Sequence, residues 1–159
     1  MKTCLIAMLG LIVLAGCTND TPSDQKEAAK IELSTTQRQR VVQDNDFAFG
    51  LLRKTIEISE EKNVFMSPLS VSLALGMAMN GANGLTRSEI EQVLNFNGMT
   101  ADEINEYYRL MQQTLPRMDP ATKLSIANSI WYRNGFNIKS SFLKINSDYF
   151  NATSQGLDF

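Results

Sequence analysis

From Asp44 onward, apolar side chains recur at helical spacing. Phe47, Leu51, Ile56 and Ile58, joined by Phe49 and Leu52, make a broad face that predicts a helix, started by Asn45 or Asp46 as N-cap and ending near Ser59. After the charged turn Glu60-Glu61-Lys62, the short and partly β-branched run Asn63-Val64-Phe65-Met66 reads as a buried strand. Ser67 then caps a second helix with Pro68 at its first position, where the missing N–H would have no partner anyway. Leu69, Val71, Leu73, Ala74, Leu75, Met77, Ala78 and Met79 follow with no charge among them, the pattern of a helix buried on all sides that ends at Gly81 before an Asn83-Gly84 turn. Thr86-Arg87-Ser88-Glu89 has the spacing of a capping box, which predicts a short helix carrying Ile90, Val93 and Leu94 inward.

A further helix is predicted from about Thr100 to Leu115, with Asp102 and Glu103 at its positive end and Ile104, Tyr107, Tyr108, Met111 and Leu115 along one side. Pro116 and Pro120 bracket a loop, and Lys123–Tyr132 alternates as a strand presenting Leu124, Ile126 and either Ile130 or Trp131 to a core. Asn134-Gly135 is by itself a hairpin signal. The spacing of Phe142, Leu143, Ile145 and Tyr149-Phe150 argues instead for a helix, with Ala152–Phe159 as a last strand. Strand, helix, strand is a β-α-β unit, which can set its two strands parallel in one sheet.

The beginning of the chain has a different character. Residues 1–16 carry a charged start at Lys2, an apolar run from Cys4 to Leu14 and small residues before Cys17, the anatomy of an export signal and too short for a membrane span of about 20 apolar residues. Leu14-Ala15-Gly16-Cys17 looks like a bacterial lipobox, in which cleavage between Gly16 and Cys17 makes an acylated Cys17 the new N-terminus; an uncleaved anchor and an ordinary signal with a chance cysteine are the alternatives. Several acyl chains on one residue anchor stably where a single chain does not. Residues 17–42 are polar and without sustained apolar periodicity, and read as a lipidated flexible tether, although Ala28–Leu33 joining a first helix is left open. A flexible segment of this length spans about 25 to 30 Å. Residues 43–159 are then the folded part. This organisation implies an exported lipoprotein of the bacterial cell envelope, at the outer membrane or cell surface, bound to the membrane through its N-terminal lipid.

Composition narrows the chemistry. Fifteen basic and 17 acidic side chains nearly balance and no basic block exists, which argues against nucleic acid as a partner. The chain has no histidine, and this removes Ser-His-Asp and Cys-His catalysis and nearly every imidazole-dependent metal site, so neither a cofactor nor a metal is expected. Ser67 lacks both a G-x-S-x-G elbow and an S-x-x-K partner. With Cys17 acylated and Cys4 removed, no disulfide framework remains. Asn151-Ala152-Thr153 fits a glycosylation pattern that has little meaning beside a bacterial lipobox.

Four separated blocks occur in an order that resembles the N-terminal signature of the serpin superfamily. They are Asn63, Phe65, Ser67-Pro68, Ser70, Ala74-Leu75, Met77 and Gly81-Ala82; Gly84, Thr86, Glu89-Ile90 and Val93-Leu94; Leu124, Ala127-Asn128 and Ile130-Trp131; and Phe136, Ile138-Lys139, Phe142-Leu143, Tyr149-Phe150, Ala152 and Leu157-Asp158-Phe159. The resemblance covers roughly Asp46–Phe159. It implies an α+β serpin-like fold of which this chain is the N-terminal part only: the helix A to E region and the first strands of sheet A, an incomplete domain truncated before the reactive loop. It further implies no enzyme but a suicide-substrate inhibitor of serine or cysteine proteases, which traps its target when the cleaved loop inserts as a strand into sheet A. A non-inhibitory binding or structural envelope lipoprotein that keeps the fold is the competing reading. By resemblance Ser67, Pro68 and Ser70 fall in the shutter beneath the strands that part, with Asn128 a weaker member of the same region; Ser67 and Ser70 also read as plain helix caps. The Thr100–Leu115 helix has only Arg109 among Asp102, Glu103 and Glu106, so heparin-type activation has no support in it.

Overall fold

A computed structural model describes residues 32–158 apart from 97. The export signal of residues 1–16, the lipidation of Cys17, the tether up to residue 31 and the packing of Phe159 lie outside the described residues. The elements follow in the order α1 (Thr35–Ile58), α2 (Pro68–Met79), α3 (Gly84–Val93), α4 (Ala101–Thr114), a 3-10 turn (Leu115–Arg117), β1 (Asn128–Arg133), α5 (Ser140–Phe150) and β2 (Ala152–Leu157).

The first helix begins at Thr35, upstream of the expected N-cap at Asn45 or Asp46. Ser34 and Gln37 form a reciprocal capping box there: the Gln37 N–H donates to Ser34 Oγ at 3.2 Å and the Ser34 N–H to Gln37 Oε1 at 2.9 Å. Residues 35–42, assigned from polarity to the flexible tether, are therefore helical. Their side chains show no apolar periodicity because the one buried group among them is a guanidinium, that of Arg40. From Phe47 the helix packs through Phe47 and Leu51, while Phe49, Ile56 and Ile58 remain exposed.

Asn63–Met66 is not a strand. It runs to α2 without ladder pairing and leaves Phe65 fully exposed. Strand character needs a partner, and among the described residues β1 and β2 pair only with each other. The second helix starts at Pro68 as expected, but it is not buried all round: Ser72, Leu73, Gly76, Met77 and Met79 face inward, whereas Val71, Ala74 and Ala78 stay exposed. Thr86 and Glu89 form no capping box, because α3 starts three residues earlier than the box implies, at Gly84 after Asn83, where the glycine takes φ +56°. In α3 and its C-cap, Leu94 is buried, Ile90 is half-buried and Val93 faces solvent. Helix α4 carries the reciprocal box that its sequence predicts, between Thr100 and Glu103.

The strand expected over Lys123–Tyr132 is paired only from Asn128, and it continues to Arg133. It is matched residue for residue by β2, from Asn128 opposite Ala152 to Arg133 opposite Leu157, in parallel. The intervening α5 makes this the expected β-α-β unit. The core sits between the helices and one face of this sheet: Leu73, Met77 and Met79 of α2 meet Leu94, Phe96, Ile104, Tyr107, Tyr108, Phe150 and Ala152. The Tyr108 ring is central, with ring centroids 5.8 Å from Phe96 and 5.2 Å from Phe150. The other face of the sheet carries Ser129, Trp131 and Arg133 outward. Among the described residues no helix is long and apolar enough to cross a membrane.

Candidate functional site at the starts of α2 and β1

The residues singled out from sequence occupy two places. Ser67 has extended backbone angles, φ −117° and ψ 98°, and its Oγ accepts from the Ser70 N–H at 3.3 Å and from the Ser70 hydroxyl at 2.9 Å. Both serines are exposed, and Pro68 sits half-buried at the first helical position. This pair caps α2 and leaves hydroxyl capacity facing outward.

Asn128 opens β1 and is tied elsewhere. Its Nδ2 donates to the Phe150 carbonyl at 2.7 Å and to Gln112 Oε1 at 2.8 Å, while Gln112 Nε2 donates to the Tyr108 and Tyr149 carbonyls at 3.1 and 3.0 Å. Asn128 and Gln112 thus take up carbonyls at the C-terminal end of α5, where Asn151 turns the chain in the left-handed region at φ 51°. No hydrogen bond among the described residues joins the serine pair to Asn128.

The first turn of α2 borders a cavity of about 230 Å³ shared with α1 and α4, lined by Phe47, Pro68, Leu69, Ser72, Tyr108 and Met111. Its polar edge is Asp44, which accepts a hydrogen bond from the Tyr107 hydroxyl. Burial, reinforced by that bond and the Asp44 charge, pushes the Tyr107 phenol far above its ordinary value, and burial does the same to Tyr108, which shares a 2.6 Å hydrogen bond with Ser72. Both phenols are neutral hydrogen-bonding groups. Among the described residues no three histidine, cysteine, aspartate or glutamate side chains converge on a possible metal position.

Sequence reading did not find two buried polar clusters. Arg40 is 1% exposed and bonds to Asp44 and to the Leu94 and Asn95 carbonyls. Asn80, Asn105 and Asn146 join α2, α4 and α5: Asn80 Nδ2 donates to Asn105 Oδ1 at 3.0 Å and to Asn146 Oδ1 at 3.1 Å, and Asn105 Nδ2 returns a bond to Asn80 Oδ1 at 3.1 Å. Single polar residues on otherwise ordinary helical faces give no periodic signal. The one hint was the placement of Asn105 beside Ile104 on the inward side of a strongly patterned helix.

Comparison with known proteins gives a consistent set of matches. Residues 42–159 match the family described as Serpin (serine protease inhibitor). Similar relatives include human neuroserpin, 29% identical over 114 residues that cover 72% of this chain and 28% of the relative. Alpha-1-antitrypsin of Meriones unguiculatus is 30% identical over 154 residues, 94% of this chain and 38% of the relative. Human corticosteroid-binding globulin is 28% identical over 134 residues, 83% of this chain and 33% of the relative. The chain therefore spans well under half the length of the curated relatives it matches. Among solved structures, reactive-loop-cleaved human thyroxine-binding globulin superposes with a TM-score of 0.68 at 28% identity, over 77% of this chain and 37% of that one. Cleaved kallistatin, crystallised with heparin, superposes with a TM-score of 0.69 at 22% identity, over 77% and 36%.

Proposed function

The chain belongs to the serpin family, and from that premise we propose that the protein it comes from is a lipid-anchored inhibitor of serine or cysteine endopeptidases. It acts as a suicide substrate: the protease cleaves a reactive loop contributed from outside residues 32–158, the loop inserts beside the strands of which β1 and β2 are the first, and the acylated protease is carried with it. The observation that carries this reading is the family match over residues 42–159, which embraces most of α1, the α2 cap, the later helices and the parallel sheet as one continuous block. In this reading Ser67, Pro68 and Ser70 form the shutter segment under the sheet. The outward hydroxyl capacity of Ser67 and Ser70 and the exposed neighbour Phe65 fit a surface covered by strands that move. Asn128 serves the same region indirectly, by fixing β1 against α4 and α5.

One observation favours a second reading. A corticosteroid-binding globulin stands among the relatives, so a carrier or structural lipoprotein that keeps the fold without trapping proteases is the alternative. Heparin binding is not part of the proposal: the exposed side of α4 presents Asp102, Glu103 and Glu106, and its Arg109 is paired with Glu106 at 2.6 Å. The likeness to kallistatin extends to the fold alone at 22% identity.

Incubating the intact protein with a panel of trypsin-like, chymotrypsin-like and papain-like endopeptidases tests the inhibitor reading. The expected product is an adduct that survives boiling in detergent, with the mass of the protease plus that of the inhibitor up to the cleaved bond, the segment beyond that bond being released; complete cleavage without an adduct by every protease tried supports the carrier reading instead. The anchoring is tested separately by metabolic labelling with a fatty-acid probe. Label and membrane retention should be lost in Cys17→Ser, and equal labelling of that variant would remove the lipid anchor from the account.

A further inference from the structure

We propose that the first part of α1, Thr35–Asp44, is a strap fastened to the body by one buried guanidinium, that of Arg40, and that it releases as a unit while the remaining helices stay folded. Between Thr35 and Asp46 the only buried residue is Arg40; the first buried apolar side chain of α1 is Phe47. Apolar packing therefore holds α1 from Phe47 onward. The turns before it depend on a polar attachment.

That attachment is unusually complete. Arg40 Nη2 donates to the Leu94 carbonyl at 2.6 Å and to Asp44 Oδ1 at 2.5 Å, Nη1 donates to the Asn95 carbonyl at 3.0 Å and to Gln43 Oε1 at 3.2 Å, and Nε donates to Asp44 Oδ1 at 3.0 Å. The guanidinium lies 4.4 Å from the Phe96 ring centroid. Asp44 in turn accepts from the Tyr107 hydroxyl of α4, so the same cluster reaches three parts of the fold.

The position of the two carbonyls gives the strap its second role. Leu94 and Asn95 end α3, whose last turn has no basic residue of its own, and Asn95 reverses the chain at φ 55°. Free carbonyls at a helix C-terminus attract a cation, and here the cation comes from a residue 54 positions away in sequence. Helix α3 has no buried residue within Gly84–Val93, so its hold on the body also leans on this cap and on Leu94 and Phe96. Release of Arg40 thus frees the strap and uncaps α3 in one event. A charge left in a dry site without its partners is strongly disfavoured, so attachment is all or none.

Hydrogen exchange of the intact protein, read by mass spectrometry, tests this with Arg40→Met, Arg40→Lys and Tyr107→Phe. Arg40→Met keeps the side-chain bulk and removes the fork; Arg40→Lys keeps the charge but cannot satisfy Asp44 and both carbonyls together. Amides of residues 38–46 and of the α3 end, 93–96, should exchange at least about tenfold faster in Arg40→Met, with Arg40→Lys and Tyr107→Phe between it and wild type, while α2 and α5 change by less than about twofold. Equal acceleration in every helix, or an Arg40→Met protein that fails to fold while Arg40→Lys exchanges uniformly fast, would make Arg40 an ordinary core group and overturn the strap. So would unchanged exchange in residues 38–46 in all three variants.

Discussion

Gly76 is where α2 comes nearest to the aromatic centre of the core. A Cβ added there would stand 2.7 Å from Tyr108 Cε2 and 3.1 Å from Phe150 Cε1, both parts of packed rings. Helix propensity alone would favour alanine by about 1 kcal/mol, but forcing the rings apart costs about 1 to 3 kcal/mol. Gly76→Ala should therefore lower the urea midpoint of the intact protein, and a raised midpoint would mean that the rings move aside freely. Residues of this kind separate what the sequence discloses from what it hides. The Ser67 cap was legible because capping chemistry is local: an N-cap hydroxyl, a proline after it and an apolar run. Asn80, Asn105 and Asn146 were not, because their partners lie tens of residues away; nor was Arg40, whose local pairing with Gln43 and Asp44 looks like that of any surface helix and whose burial comes from the Leu94 and Asn95 carbonyls far along the chain.

At the scale of elements, α4 shows how far local signals reach. Its capping box was readable from Thr100 and Glu103, and in the structure the Thr100 N–H donates to Glu103 Oε2 at 2.7 Å and its hydroxyl to the same oxygen at 2.9 Å. The Thr100 amide, and next its hydroxyl, hold the Glu103 carboxyl below its ordinary value of 4.5. A depressed carboxylate stabilises the fold in full above its unfolded value, and the contribution disappears as pH falls below 4.5 through the lowered value. Protection of the first-turn amides of α4 against hydrogen exchange, corrected for intrinsic rates, should accordingly weaken in that acid window in wild type. It should be weak at all pH in Glu103→Ala, and pH-independent protection in wild type would contradict the assignment. The same style of reading misplaced α3, where Thr86 and Glu89 have the spacing of a box but Gly84 had already turned the chain into the helix. It also made a strand of Asn63–Met66 from composition alone, without the neighbour that a strand requires. The β-α-β unit came out correctly against the local hairpin signal at Asn134-Gly135 because the helical spacing over Phe142–Phe150 left too little chain for a second hairpin strand.

For the molecule as a whole, the described residues leave Phe49, Ile56, Ile58, Phe65, Trp131 and Phe136 exposed, along helix α1, the approach to α2, the outer face of the sheet and the loop from β1 to α5. Single exposed apolar residues are ordinary, but large ones spread over several elements mark faces made to be covered. The family fold was legible from the order of the sequence blocks rather than from periodicity, and the curated relatives are longer than the matched region by a wide margin. At about 25 cal/mol per Å² of apolar surface, leaving such faces wet removes a large share of a marginal folding stability. The central claim is that residues 32–158 are the N-terminal portion of a serpin fold that completes its core with further chain. Calorimetry on residues 32–159 expressed alone, beside the intact protein, tests it most directly. The account predicts no cooperative heat absorption for the isolated segment, strong binding of an apolar dye, and a sharp transition for the intact protein; a single cooperative transition for the isolated segment, with calorimetric and van't Hoff enthalpies in agreement, would contradict it.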